Sequence, residues 1–277
     1  MTAGGAIPPM PARVRPAHVE WVAARLTARD REILKVVNRL RVVSSAHLSR
    51  LFFHDLREGR SRTTARTRTL RRLVAWRVLC PLERRTGGHA GGSAVQCYAL
   101  DSAGQLLIAA WQQAEGAGVR VRRPGAPGER TLRHILGVTD LYVSLVELGR
   151  VEGFTVTTFE AEPGSWWPHG LGGQLKPDAY TLLTRDQVRD HWWIEHDQAT
   201  EGLPTIRRKI ETYVDFLRRG QLGPGGVVPR VLISTITDQR RMAIEALVRR
   251  LPPLAAELMR VTHTERAAQA MYEVLRE

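Results

Sequence analysis

The chain of 277 residues has only two cysteines, Cys80 and Cys97, and only three lysines, Lys35, Lys176 and Lys209. Two cysteines without paired metal-type spacing exclude a disulfide framework and a structural zinc module, and both are read as reduced thiols of a cytoplasmic protein. Long apolar runs are missing: stretches such as Val231-Leu232-Ile233 fall far short of the roughly 20 residues that span a bilayer. The opening "MTAGGAIPPMPARVRP" lacks the apolar core of roughly 7–15 residues that a secretory leader needs. Aromatic residues are few, and no aromatic platform of the RNA-recognition kind is visible. His134, His191, His196 and His263 have no H-E-x-x-H spacing, and "TGGHAGG" is not followed by Gly-Lys-Ser/Thr. There is no G-x-S-x-G elbow either, so zinc hydrolases, phosphate-loop enzymes and serine hydrolases are poor readings.

Arginine is what the chain has, and it is unevenly placed. The formal charge is +13 with a pI near 10.9. Residues 1–130 hold 23 Lys+Arg against 9 Asp+Glu, whereas residues 131–277 hold 18 against 19. A compositional bias alone would load both halves, so the surplus points to a polyanionic partner bound by the first half.

The hydrophobic pattern predicts two domains. Residues 1–20, rich in Pro, Ala and Gly, read as a disordered tail. Thr27 and Asp30 form a capping box that opens a helix with Ile33, Leu34, Val37 and Leu40 inward. A serine-capped short helix follows, with Leu48, Leu51 and Phe52 inward. A third helix, "GRSRTTARTRTLRRLVAW", buries Ala65, Leu70, Leu73 and Val74 and is otherwise arginine and threonine. Two strands, "RVLCPLERR" and "SAVQCYAL", flank the glycine-rich turn as a hairpin, and "DSAGQLLIAAWQQA" supplies a closing helix. This order is that of a winged helix-turn-helix domain, placed at residues 21–115.

In such a domain the last helix lies in the major groove of double-stranded DNA. Arg60, Arg62, Arg66, Arg68, Arg71 and Arg72, with Thr63, Thr64, Thr67 and Thr69, are the candidate contacts, and Arg84, Arg85 and His89 would sit on the wing. Arginine can pair with guanine or grip phosphate, and the sequence leaves both open.

Residues 116–130 read as a linker, and residues 131–277 as an α/β domain with element order αβββαβα around a central mixed sheet. Its helix from Pro204 carries Ile206, Ile210, Tyr213, Val214 and Leu217 on one stripe. The strand "HWWIEHD" puts Trp193, Glu195 and Asp197 on one face, and Ile194 and His196 on the other. The preceding strand opens with Asp178 after Pro177. If the two strands are neighbours, Asp178, Glu195 and Asp197 converge at one edge, where three carboxylates repel unless a cation such as Mg²⁺ or Mn²⁺ lies between them. The plainer alternative is that Glu195 and Asp197 terminate a strand, with Glu201 capping or pairing with Arg207 or Arg208. Glu147 and Glu160 are weaker candidates to complete the site. Trp166 and Trp167 follow a Pro-Gly turn, where they either stack on an unpaired base or anchor the loop.

"PD", then a strand ending E-x-D, within this element order, resembles the PD-(D/E)xK superfamily of restriction-endonuclease-like domains. The resemblance implies that Asp178 and Glu195 hold a metal ion. The lysine expected two residues after the glutamate, where it would help activate water, is replaced by Asp197. Lys209 on the next helix is the displaced substitute, as in some members of that superfamily, or it snorkels along its helix; Asp197 is the alternative base. More narrowly, "LTARDREIL", "TLRHILGVTDLYVSL", "LKPDAYTLL" and "WIEHDQATEGLPTIRRKIETY" resemble the replication-relaxation family of bacterial and plasmid proteins. That resemblance implies a DNA-binding protein of a plasmid or mobile element, acting in replication or mobilisation, with a homodimer and a relaxase or replication protein as expected partners. Two activities stay open: a metal-dependent nickase, or a non-catalytic regulator that uses a degenerate nuclease fold for dimerisation or partner docking.

Overall fold

The computed structural model describes residues 14–82, 95–114, 127–170 and 172–277. It is a mixed α+β structure with ten α-helices among the described residues and a central five-stranded mixed sheet. The chain divides into two compact units between Thr139 and Asp140.

The first unit opens with α1 (Pro16–Ala23), so the tail expected to be disordered to residue 20 is helical from Pro16. Pro16 starts it because a first-turn position has no N–H partner to lose. Trp21 of α1 then packs edge-on against Trp76, with ring centroids 5.4 Å apart. The capping box opens α2 (Ala28–Leu40): Thr27 Oγ1 accepts from the Asp30 N–H, and the Thr27 N–H donates to Asp30. After β1 (Val43–Ser44) comes α3 (Ser45–Phe52), whose N-cap Ser44 accepts from the His47 N–H while His47 Nδ1 accepts from the Ser44 N–H. The fully buried phenylalanine is Phe53; Phe52, expected inward, is half-buried.

Gly59 precedes α4 (Arg60–Ala75) with φ near +109°, a conformation that a side chain would resist. Then β2 (Leu79–Pro81) and β3 (Cys97–Leu100) pair antiparallel, and β1 adds to β3, giving the order β1-β3-β2. The closing helix is α5 (Ser102–Ala114).

The long α6 (Glu129–Glu152) runs across the division between the two units. Leu132, Ile135 and Leu136 pack with Val42, Leu82 and Cys97, and Thr139 Oγ1 donates to the Val42 carbonyl at 3.2 Å. The start of α6 therefore packs in the first core, and the division of the chain falls inside the helix; most of the linker expected at residues 116–130 lies outside the described residues.

The second unit is built on β4 (Thr155–Ala161), β7 (Ala179–Arg185), β8 (Val188–Asp197), β9 (Arg230–Thr235) and β10 (Met259–His263), in the order β10-β9-β8-β7-β4. The strands β8, β9 and β10 run parallel, while β7 is antiparallel to β8 and β4. A short hairpin, β5 (Trp167–Gly170) and β6 (Gly173–Leu175), lies outside this sheet and was not foreseen. One face of the sheet is covered by α7 (Leu203–Arg218), α8 (Asp238–Arg249) and α9 (Pro253–Leu258), whose Ile206, Ile210, Tyr213, Val214, Phe216 and Ile244 meet Trp193, Val231 and Ile233. The last helix, α10 (Ala267–Leu275), packs Tyr272 on Phe154. The N-cap of α8 is Thr237, whose side chain accepts from the Arg240 N–H.

In the first unit Asp30 is fully buried and receives Arg72 Nη2 at 2.6 and 2.7 Å. It therefore serves both as third residue of the capping box and as the anchor of α4 on α2. Asp30→Ala is expected to cost roughly 2–4 kcal/mol, since a cap and a buried ion pair are lost together. Urea unfolding measures it, and a loss under about 0.5 kcal/mol, the range of ordinary surface changes, would show that Asp30 is not a structural anchor.

Candidate nucleic-acid interface and candidate active site

The cationic helix α4 sorts its arginines by their partners. Arg62 is spent on the chain itself: its Nε and Nη2 donate to the Leu56 carbonyl at 3.0 and 2.9 Å, its Nη2 also to that of His54, and its Nη1 meets Glu58. Arg72 is held by Asp30 and lies over the Trp76 ring. Both were expected at a DNA contact; the structure assigns them to holding α4 and its leading loop in place. Arg66 is half-buried, and its charge together with that of Arg71 acts on Tyr98 of β3, whose pKa is nonetheless raised by burial.

Arg60, Thr63, Thr64, Arg68 and Arg71 are exposed, and Thr67 is half-buried between them. Their spacing, with Arg60, Thr64, Thr67, Arg68 and Arg71 at i, i+4, i+7, i+8 and i+11, puts them along a single helix face. Arg60 and Arg68 make no hydrogen bond or ion pair to a described residue. Arg84, Arg85 and His89 lie outside the described residues.

In the second unit the register between β7 and β8 pairs Ala179 with Ile194 and Tyr180 with Trp193. Continued by one residue, it sets Asp178 opposite Glu195 on the same face. Local bonds fix that margin: the Asp178 N–H donates to the Ile194 carbonyl at 2.9 Å, and Asp178 Oδ2 accepts from the His196 N–H at 2.7 Å.

Glu195 is buried, and both of its oxygens are occupied. Lys209 Nζ donates to Oε2 at 3.1 Å, and the Tyr213 hydroxyl donates to Oε1 at 2.6 Å. Lys209 and Tyr213 stand four residues apart on α7, one turn of the helix that closes over this face. Lys209 also lies 3.3 Å from Glu201, which pairs with it and not with Arg207 or Arg208. The lysine is thus a member of the site and does not merely lie along its helix.

Burial and the charge of Asp178 raise the Glu195 pKa to about 7, against the opposing pull of Lys209 and Tyr213. Burial would lower the Lys209 pKa, but Glu195, Asp178 and Glu201 outweigh it and raise it. Burial and the same two carboxylates push the Tyr213 hydroxyl well above its ordinary value.

Asp197 does not join the pair. Arg240 from α8 grips it, with Nε 2.6 Å from Oδ2 and Nη2 3.2 Å from Oδ1, and Nη2 also bonds the Glu201 carbonyl at 2.7 Å. The expected convergence of three carboxylates is therefore two. No group of three or more His, Cys, Asp or Glu side chains placed to hold a metal ion occurs among the described residues. Glu160 lies on β4 opposite Tyr180 and is exposed, and Glu195 takes its hydrogen bonds from Lys209 and Tyr213.

Sequence reasoning missed Tyr213 and Arg240. Tyr213 was read as one more apolar position of the α7 stripe, although its hydroxyl, buried below a carboxylate strand, was the available signal. Nothing local in the sequence ties Arg240 to Asp197, 43 residues away.

A model of the replication-relaxation family matches residues 34–231. The chain belongs to that family. The match takes in α4, Asp178, Glu195, Lys209 and Tyr213 and ends before Arg240, and family membership suggests a role in replication or mobilisation. No curated protein and no solved structure matches this replication-relaxation chain. Among the described residues no helix is long and apolar enough to cross a membrane.

The raised pKa of Glu195 fixes a sign. In the fold the group holds its proton up to about pH 7, against an ordinary value of 4.5. Its contribution to stability is full below about pH 4.5 and is lost as pH rises through 7. Glu195→Gln, which keeps the shape and loses the titration, should gain in Tm relative to the parent between pH 5 and pH 8. A difference that stays constant across thermal scans in that range, in chelator, would show that Glu195 does not titrate there.

Proposed function

We propose that this replication-relaxation protein is a metal-dependent DNA endonuclease that nicks one strand, delivered to its site by the first unit acting as a winged helix-turn-helix. The observation that carries the reading is Lys209 Nζ lying 3.1 Å from Glu195. It supplies from the helix the cation that position 197 lacks, and so completes the acid, acid and lysine set of a PD-(D/E)xK nuclease.

The donor set suits a hard divalent ion. Its ligands are oxygens, and Mg²⁺ takes one or two carboxylates, with water and substrate phosphate filling the rest. Asp178, Glu195 and Glu201 also outnumber the single ammonium, while the lifted Glu195 pKa comes first from burial and then from Asp178. Asp178 and Glu195 would hold the ion, which when bound supplies a water of lowered pKa and offsets phosphate charge. Lys209, kept cationic by three carboxylates, is no base at neutral pH. Its part is to hold Glu195 in place and to put positive charge beside a phosphoryl oxygen. Tyr213 keeps its proton and fixes the second Glu195 oxygen. Asp197, paired with Arg240, takes no proton from water; it braces the end of β8.

In the first unit the exposed Arg60, Arg68 and Arg71, flanked by Thr63, Thr64 and Thr67, would meet double-stranded DNA. A second reading, a regulator with a degenerate nuclease fold, is favoured by the saturation of Glu195: both oxygens already have protein partners. In that case the trio is a buried structural ion pair.

Two experiments decide. With Mn²⁺ or Mg²⁺ the protein should nick supercoiled plasmid, and Asp178→Ala or Lys209→Ala should lower the rate by a hundredfold or more. Equal rates in parent and variants would reduce the trio to structure. Joint replacement of Arg60, Arg68 and Arg71 by Ala should weaken duplex binding at 0.1 M salt and flatten its dependence on log salt by about three contacts at ~0.9 each. It should leave the unfolding midpoint near that of the parent; unchanged binding would remove α4 from the interface.

A further inference from the structure

The β5–β6 hairpin, whose second strand leads through Lys176 and Pro177 into Asp178, borders a cavity of about 550 Å³ lined by Pro168, Gly170, Gly172, Gly173, Gln174 and Lys176. The volume is within the range of ligand sites. Among the described residues the lining contains one charged side chain, a cation, and no carboxylate. Three of its six residues are glycines, so backbone and not side chains forms much of the wall.

The hairpin is held in place on three sides. Trp167 Nε1 donates to the Leu222 carbonyl at 3.0 Å. A Cβ on Gly170 would lie 2.1 Å from Gln221 Nε2, and with φ near +77° the position suits only glycine. Ser165, itself buried, donates its hydroxyl to the Pro177 carbonyl at 2.6 Å, which ties the loop before the hairpin to the segment Lys176-Pro177-Asp178. Lys176 is exposed, and its Nζ lies 4.8 Å from the centre of the Trp166 ring.

The choice of lysine carries information here. Of 41 basic residues three are lysines; Lys209 touches Glu195, and Lys176 stands two residues before Asp178. Two residues of backbone reach at most roughly 7 Å, so the Lys176 backbone lies within that distance of the Asp178 backbone, on a segment tied down by Ser165.

We infer that this cavity holds a backbone phosphate of the DNA strand adjoining the scissile bond, with Lys176 as its cation and the glycine-walled hairpin as the surface along which the strand lies. The inference rests on the nuclease reading of Asp178 and Glu195 and names the substrate contact next to them. A phosphodiester matches the lining: it needs positive charge, tolerates close backbone approach, and would be repelled by carboxylates. The Trp166 ring, 4.8 Å from Nζ, helps set where the ammonium points.

The test is binding of a fluorescent DNA duplex of about 40 base pairs to the full-length protein in Ca²⁺ with no Mg²⁺ or Mn²⁺, followed by anisotropy across a salt series. Lys176→Gln should weaken binding three- to tenfold at 0.1 M salt and lower the slope of log K against log salt by ~0.9, one phosphate contact. Lys35→Gln, at an exposed position of α2 paired with Glu32, is the control and should leave both unchanged. Lys176→Arg should restore the slope. If Lys176→Gln binds with the affinity and slope of the parent while its unfolding midpoint is retained, the inference is overturned. The nicking assay is separate: loss of nicking in the parent with the Lys176 slope effect intact would sink the enzyme and keep the strand contact.

Discussion

A carboxylate taken out of water must be met by donors or cations, and Glu195 is met by both. Lys209 and Tyr213, one helical turn apart, close on its two oxygens while Asp178 pushes on it from the neighbouring strand. This constraint sets much else in the second unit. The helix α7 must lie across the end of β8 at the distance of a lysine side chain. Its apolar stripe, Ile206, Ile210, Val214 and Phe216, must then fill the space over Trp193 and Ile233. The acid pair and the core beneath it are thus positioned by one helix.

The first unit works by the opposite economy. Its helix α4 is crowded with arginines, yet those with buried or backbone partners, Arg62 and Arg72, face the protein and fix the helix. Only a strip with Arg60, Arg68 and Arg71 faces outward. Charge counts therefore overstate what a partner can meet, because a planar guanidinium with five donors is also a good structural clamp.

Much of this was legible in the residues. The caps at Thr27 and Ser44, the strands around residues 180, 194 and 232, and the α7 stripe follow from local periodicity and capping chemistry and they form, except that Phe216 takes the buried place expected of Leu217. The alternation of β8 likewise put Glu195 and Asp197 on one side. What local pattern could not supply was the identity of distant partners. Asp197 and Glu195 share a face and differ only in which helix reaches them, Arg240 from α8 or Lys209 from α7. The β5–β6 hairpin escaped because four and three residues rich in glycine show no alternation. The packing of the start of α6 against Val42, Leu82 and Cys97 is hidden for a related reason: an amphipathic helix shows how it is patterned, not whose core it joins.

The end of β8 is braced twice, from different helices and through different acids. Arg240 secures residue 197 and the Glu201 carbonyl without touching Glu195. A substitution at Lys209 would therefore loosen α7 from Glu195, leaving Tyr213 as its remaining tie, while the last residue of β8 stayed clamped to α8 through Arg240.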